Sequence, residues 1–532
     1  MMKLFYNAKI FSPQYPKATA MIIDHGIFIL VGSDKDLLET SLNVDQKINL
    51  RGRTVWPGLI DAHVHLEHLA EGMAMVDCET RSLEACLNRV RQTANQMPEG
   101  TWIRGHGWNQ NVWESGYGDA SLLDQVTESH PAYLTAKSLH AAWANSRALA
   151  KAGINSKTPD PPGGTIQRDE KGQPTGVLFE AGAMQLVESV IPKPTHAERV
   201  EKLKALLPEL WQMGLVGVHD FDGADCWQAL QEMVQAGELN LRVCKNVPFE
   251  ALETFIQAGL RTNYGNDFLH VGQVKLFSDG ALGPQTAAMK EPYTGSREVG
   301  VLLLSEKEIL DIGIYAANHG LGLTIHAIGD LANHTVLNAL SKLRAYEEAH
   351  SLPHLKHRIE HVQILDPADL DRLAKLNVIA SVQPIHAPSD MKMADRYLGP
   401  RSENAYAYQS LITSGASFVL GSDAPVEPID PFLGIYAAVT RQNLAGEPGP
   451  EGWHPEQRLS LTQAVEGFSR RPSELVGRDQ RFGQIQPGLM ADFILLEQDP
   501  FTLQPSELHR IRPLATFIQG TPVFKSDALD LE

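Results

Sequence analysis

Cysteine is scarce in this chain: four in 532 residues, Cys78, Cys86, Cys226 and Cys244, with no CxxC pair and no dense framework. That scarcity excludes a disulfide-stapled scaffold and fits reduced thiols in a cytoplasm, where the four would serve as packing residues. Long hydrophobic runs are missing as well. None approaches the roughly 18 to 20 apolar residues that cross a bilayer, so no membrane span is expected. The opening "MMKLFYNAKIFSPQYP" interrupts its apolar run at Asn7 and Lys9 and offers no small-residue cleavage site, and it reads as a first strand rather than a signal peptide. Positive charge is short, with 46 Lys and Arg against 64 Asp and Glu. The net charge of -18 argues against nucleic acid or an anionic membrane as a partner. Biased tracts and internal repeats are also lacking, and 43% hydrophobic with 21% charged residues are the proportions of a folded globular chain.

At about 100 to 200 residues per domain the length allows two to four units, of which a barrel would be one. Both ends of the chain are rich in short strands: residues 3–11, 20–32 and "KINLRGRTVWPG" at one end, "ADFILLEQDP" and "LATFIQGTPVFK" at the other. One small sheet domain built from the two termini is therefore expected. Between them, strands alternate with amphipathic helices. Thr195 with Glu198, and Ser305 with Glu308, have capping-box spacing, and Asp366 with Pro367 predicts another helix start. The strand-like runs are "GLIDAHVH", "GLVGVHDF", "LRVCKNV", "VGQVKLFSDG", "GLGLTIHAIGD", "HRIEHVQ", "NVIASVQPIHA" and "SFVLGSDAPV". Eight such steps predict a closed parallel (β/α)8 barrel of the TIM type, provided residues 67–210 form one large insertion after the first barrel strand. The expected boundaries are 1–57 and 481–532 for the terminal sheet domain and 58–480 for the barrel. Within the insertion, "TPDPPGGTIQRDEKGQPTG" reads as a loop.

The first strand ends in His63 and His65, which as alternate residues of a strand face one space. A single such pair is more often structural than ligating. In the barrel order, however, Lys275 lies on strand four, His326 ends strand five, His361 ends strand six and Asp423 ends strand eight. Four imidazoles, a lysine and a carboxylate at equivalent ends of five strands point to a metal site at the C-terminal mouth, where parallel barrels carry their chemistry.

These motifs, "PGLIDAHVH", "HAIGD", "RIEHVQ", "GSDAPV" and "GQIQPGLMADFILLEQDP", resemble those of the amidohydrolase superfamily over nearly the whole chain. "VKLFSDGALGPQTAAM", "PPGGTIQRD", "GQPTGVLFE" and "SLHAAWANSRAL" are similar to its YtcJ-like branch, amidohydrolase family 3. The resemblance implies a barrel with a small β-sandwich from both termini. It further implies one divalent ion, zinc by donor type, on His63, His65 and Asp423, and a second on His326 and His361. Lys275 would be N-carboxylated and bridge the two, the alternative being an ion pair with Asp279 beside a single ion. Asp423 would be both ligand and proton shuttle. Trp108 and His140, in the insertion, are candidate substrate contacts against a structural default; Glu180 and His386 lie in family-like stretches without an assigned role.

The expected activity is hydrolysis of a carbon-nitrogen bond, amide or N-acyl, in a small molecule. The alternatives are a one-metal deaminase, an N-substituted formamide deformylase-like enzyme, or a non-catalytic binding protein on the same fold. The expected partner is the small-molecule substrate, with no nucleic acid and no membrane, and a homo-oligomer is left open.

Overall fold

The computed structural model describes residues 1–73, 75–110, 113–114, 116–136, 141–527 and 529. They form two compact units, Met1–Leu69 with Arg199–Glu532, and Ala70–Glu198. Among these residues no helix is long and apolar enough to cross a membrane.

The first unit contains a parallel barrel of β1 (Leu59–Val64), β2 (Leu215–Asp220), β3 (Arg242–Pro248), β4 (Leu269–Phe277), β5 (Leu323–Ala327), β6 (His357–His361), β7 (Val378–Val382) and β8 (Phe418–Leu420). These strands are buried along nearly their whole length with almost no alternation, as expected when one face packs inside a barrel and the other under helices. Neighbours pair in chain order from β1 to β8. The seam between β8 and β1 closes by few bonds: Asp423 N donates to His63 O at 2.7 Å and His65 N to Ala424 O at 2.9 Å. Asp61 reinforces it, its Oδ1 accepting from His63 N at 2.9 Å and Ser422 N at 3.0 Å. Gly421 must be glycine here, because a Cβ would lie 2.6 Å from His63 N.

The termini meet in two sheets. In one, Ala20–Asp24 lies between Ile27–Gly32 and Lys3–Tyr6, and Gln46–Asn49 flanks the far side. In the other, Phe493–Leu496 pairs with Thr54–Pro57 on one side and Ala515–Ile518 on the other. Phe5, Phe28, Phe493 and Phe517 fill the core between them, with the last two rings stacked at 4.3 Å. The chain is thus a TIM-type barrel with a β-sandwich made from both ends.

The helices start where the caps predict. Ser305 and Glu308 form a reciprocal capping box on Glu306–Asn318, and Thr195 and Glu198 do the same before His196–Gln212. The segment after Asp366 differs from expectation. It is a 3-10 turn, Pro367–Asp369, followed by a single helical turn, Arg372–Lys375. Asp369 is buried and held by Arg372 and His334, a side-chain arrangement that competes with a continuous helix.

The second unit carries a six-stranded sheet in the order Thr165–Arg168, Pro174–Phe179, Ala141–Ala144, Ala132–Ala136, Ile103–Trp108 and Val76–Asp77. The Pro/Gly-rich stretch expected to be a loop contributes a hairpin to it, since Thr165 pairs with Phe179 and Ile166 with Leu178. Trp108, Trp113 and Trp143 share its core.

Candidate metal centre

Parallel packing brings the six expected ligand positions to one cavity of about 420 Å³, lined by His63, His65, Lys275, His326, His361 and Asp423. His63 and His65 turn their Nε2 atoms toward the same oxygen, Asp423 Oδ1, at 3.3 and 3.5 Å. Their other nitrogens face carboxylates: His63 Nδ1 donates to Glu360 Oε2 at 2.6 Å, and His65 Nδ1 lies 3.4 Å from Asp222 Oδ1. A carboxylate behind an imidazole fixes its tautomer and raises its basicity as a ligand. Phe221 stacks on His63 with centroids 3.9 Å apart and holds the ring in place.

His361 and Asp423 both sit at positive φ, 72° and 64°. In a regular strand Glu360 and His361 would face opposite ways. The left-handed turn at His361 lets Glu360 bond His63 inside the barrel while His361 faces the cavity. Strain of this kind is concentrated at functional positions.

The pair from β5 and β6 is backed differently. His326 Nε2 donates to the Gly280 carbonyl at 2.9 Å, and His361 Nδ1 donates to the Gln383 amide oxygen, also at 2.9 Å. Their rings approach to 4.6 Å. Lys275 Nζ lies 4.6 Å from the centroid of Phe221 and 4.7 Å from that of Phe277. Among the described residues it has no ion pair. The alternative pairing with Asp279 is absent because Asp279 accepts from Ala288 N, Ile328 N and Gly329 N at 2.8 to 3.0 Å.

The electrostatics follow from burial and charge. Burial pushes His63 down to about 4 against the pull of Asp423 and Glu360, and burial with the Lys275 charge pushes His326 to about 4. Both imidazoles are neutral, as ligation requires. His65 is also pulled down by burial, but hydrogen bonds to Asp222 and Asp423 prevail and raise it to about 9. A field that holds a proton there also attracts a cation. Burial lowers Lys275 to about 8. The Asp423 carboxyl stays well below its ordinary range: burial opposes this, and the surrounding imidazoles outweigh burial.

His63, His65 and Asp423 have ligand atoms within 4.8 Å of one another, as do His361, His386 and Asp423. Two imidazole nitrogens and a carboxylate oxygen converging on one point fit zinc or a similar divalent ion, which would displace the proton on His65. A model of amidohydrolase-family proteins matches residues 46–524. The chain belongs to the amidohydrolase family. It is 31% identical over 520 residues to YtcJ of Bacillus subtilis (strain 168), a protein described as an amidohydrolase, covering 96% of each chain. It is 27% identical over 522 residues to the N-substituted formamide deformylase of Arthrobacter pascens, covering 94% of each. A solved structure of an uncharacterized metal-dependent hydrolase from Pyrococcus horikoshii OT3 superposes with a TM-score of 0.79 at 27% identity, covering 95% of this chain and 99% of that one.

The amidohydrolase motifs account for the cavity ligands and leave other positions aside. Trp108 is a core residue of the second unit, 1% exposed, with its indole N–H donated to Leu134 O at 2.8 Å. Its ring is spent on packing, which corrects the expectation of a substrate contact. His140 lies outside the described residues. Glu180 opens a helix of the second unit, Glu180–Glu188. The sequence reading missed Asp61, Asp222, Glu360 and Gln383, all buried. Their signal was present as charged or amide residues inside otherwise apolar barrel strands or just past their ends, positions that packing alone would fill with Val or Ile.

Proposed function

We propose that this amidohydrolase cleaves a carbon-nitrogen bond, of the amide or N-acyl type, in a small molecule, with water as nucleophile. The observation that carries the reading is the convergence of His63 Nε2 and His65 Nε2 on one oxygen of Asp423. A divalent cation, when bound there, supplies the positive charge that polarises a carbonyl and acidifies water. The protein's own residues do the rest. Glu360 and Asp222 hold the two imidazoles in register. Asp423, ionised at neutral pH, takes the proton of the attacking water and delivers it to the leaving nitrogen, as general base and then acid. Phe277, Leu282 and Ile328 give the cavity an apolar wall, and the ring of Phe221 packs on His63.

Lys275, His326 and His361 would hold a second ion if Lys275 is N-carboxylated. Its buried amine, lowered to about 8, supports this. The neutral amine attacks the carbon of carbon dioxide, loses a proton and becomes a carbamate with two anionic oxygens. The likeness to the N-substituted formamide deformylase favours amide hydrolysis over deamination as the first reaction to test. A complete donor set argues against a non-catalytic binding protein. Four buried, unpaired cysteines are compatible with a reducing compartment.

The test is metal analysis joined to amine release from a panel of N-formyl and N-acetyl amines. Bound zinc or manganese, turnover of at least one member and loss of turnover with a chelator are expected. Protein that takes up neither ion would overturn the reading.

A further inference from the structure

His386 is the histidine of the cavity wall that lies outside the six expected ligand positions, although its ring also comes within 4.8 Å of the ligand atoms of His361 and Asp423. It opens the helix His386–Leu398, which follows β7, and with Asp390 and Met393 it puts the i, i+4, i+7 face of that helix into the cavity. Asp390 is satisfied: it accepts from the Tyr406 hydroxyl at 2.5 Å and from Gln363 Nε2 at 3.2 Å. His386 is not. It is 9% exposed, and among the described residues lining the cavity its Nε2 is the buried side-chain atom with no hydrogen-bond partner. Buried polar atoms without partners are rare, and one aimed into a reaction cavity calls for a ligand.

The position of that atom defines the ligand. Asp423 divides its oxygens: Oδ1 faces His63 and His65, whereas Oδ2 lies 3.9 Å from His386 Nε2. That gap is too long for a direct hydrogen bond, and an intervening N or O atom can lie about 2.8 Å from both. With Oδ1 committed to the cation site, Oδ2 is the oxygen left to carry the proton. Asp423 donates that proton to the lone pair of the leaving nitrogen, so the nitrogen's own hydrogen must point elsewhere.

We propose that His386 Nε2 accepts a hydrogen bond from the N–H of the leaving nitrogen, and that the substrate is therefore an amide bearing a hydrogen on that nitrogen rather than an N,N-disubstituted one. This rests on the hydrolase reading above. The carbon-nitrogen bond breaks as Asp423 gives up its proton to nitrogen, and the N–H held by His386 stays on the amine. His386 touches substrate and ligates no metal.

The test uses the full-length, zinc-loaded protein and a matched pair, N-butylacetamide and N-butyl-N-methylacetamide. Wild type should favour the first by at least tenfold in kcat/KM. His386→Ala should keep its zinc and lose that preference, through the N–H amide alone, and His386→Gln, whose amide oxygen can accept, should recover part of it. Zinc lost from His386→Ala would make the residue a ligand and overturn the proposal, as would an unchanged preference. If wild type hydrolyses neither amide, the hydrolase reading is judged separately by its own panel of N-formyl and N-acetyl amines, and calorimetric affinity for the same pair decides this proposal. Tighter binding of the N–H amide that His386→Ala abolishes supports the contact, while equal affinity, or no binding of either, overturns it.

Discussion

The imidazoles at the end of β1 and those at the ends of β5 and β6 line one cavity with different backing. Behind His63 and His65 stand two buried carboxylates, Glu360 and Asp222; behind His326 stands the Gly280 carbonyl at 2.9 Å with the Asp279 carboxylate farther off at 3.5 Å, and behind His361 an amide oxygen. Charge-assisted hydrogen bonds are roughly twice as strong as neutral ones. The short bond to Glu360 therefore orients His63 most firmly, His65 is the one of the four imidazoles raised above the ordinary histidine range, and the two share Asp423 Oδ1. The lesson is that identical side chains in one cavity can be unequally backed; on the proposed reading the first pair would keep its ion and the second would depend on the state of Lys275.

The largest expected effect comes from removing what the first site alone possesses. Asp423→Asn keeps size and one oxygen but cannot carry a proton, and turnover should fall by at least about 100-fold with the fold intact by circular dichroism. Near-normal turnover on a substrate whose chemistry is rate-limiting would leave Asp423 a replaceable ligand. Next comes the backing itself. Asp222→Asn and Glu360→Gln should each weaken zinc binding about 10- to 100-fold in a chelator competition, and Gln383→Ala should weaken the first ion far less. Equal losses in all three would erase the distinction between the pairs. Glu360→Gln also deprives the buried Arg358 of its partner at 2.8 Å, so its melting temperature should drop as well, which makes Asp222→Asn the cleaner variant.

A third outcome is set by pH. A cation entering the first site must displace the proton that Asp222 and Asp423 hold on His65, whose pKa they raise to about 9. Zinc affinity should rise by about tenfold per unit from pH 7 to pH 9 for one displaced proton, and a flat profile would show that His65 is already neutral. The smallest change is stoichiometric. Lys275→Ala should bring metal content from two ions toward one, with the β1 ion retained; two ions retained would exclude a carbamate bridge.

The barrel, and the gathering of the six candidate ligand positions at its mouth, could be read from the sequence because each lies at or near the end of a strand inside a short motif, and position along a parallel strand fixes position at the mouth. The backing residues could not be read in the same way. Glu360 meets His63, 297 positions away, only because the barrel closes, and no local pattern states which strand will supply a partner. The hairpin from Thr165 to Phe179 was hidden by Pro161, Pro162 and the surrounding glycines, which mark turns but do not forbid short strands between them. Trp108 stood in the sequence between a packing default and a substrate contact because an aromatic in a Gly-rich run looks the same whether it packs inward or lines a mouth. Its hydrogen bond to Leu134 O comes from a neighbouring strand.

The seam between β8 and β1 bears on how the protein is made. Asp61 and Ser422, which pin it, are 361 positions apart, and at 5 to 20 residues per second a ribosome needs roughly 20 to 70 s to travel between them. For that interval His63 and His65 are already synthesised while Asp423 is not, so the nascent chain has no completed first site to load. The strand Phe493–Leu496, which the sandwich needs beside Thr54–Pro57, emerges later still. Retention of an ion in the first site would thus report that translation has passed Asp423, and a chain truncated just before it would be released with two of the three residues of that site and an open barrel edge.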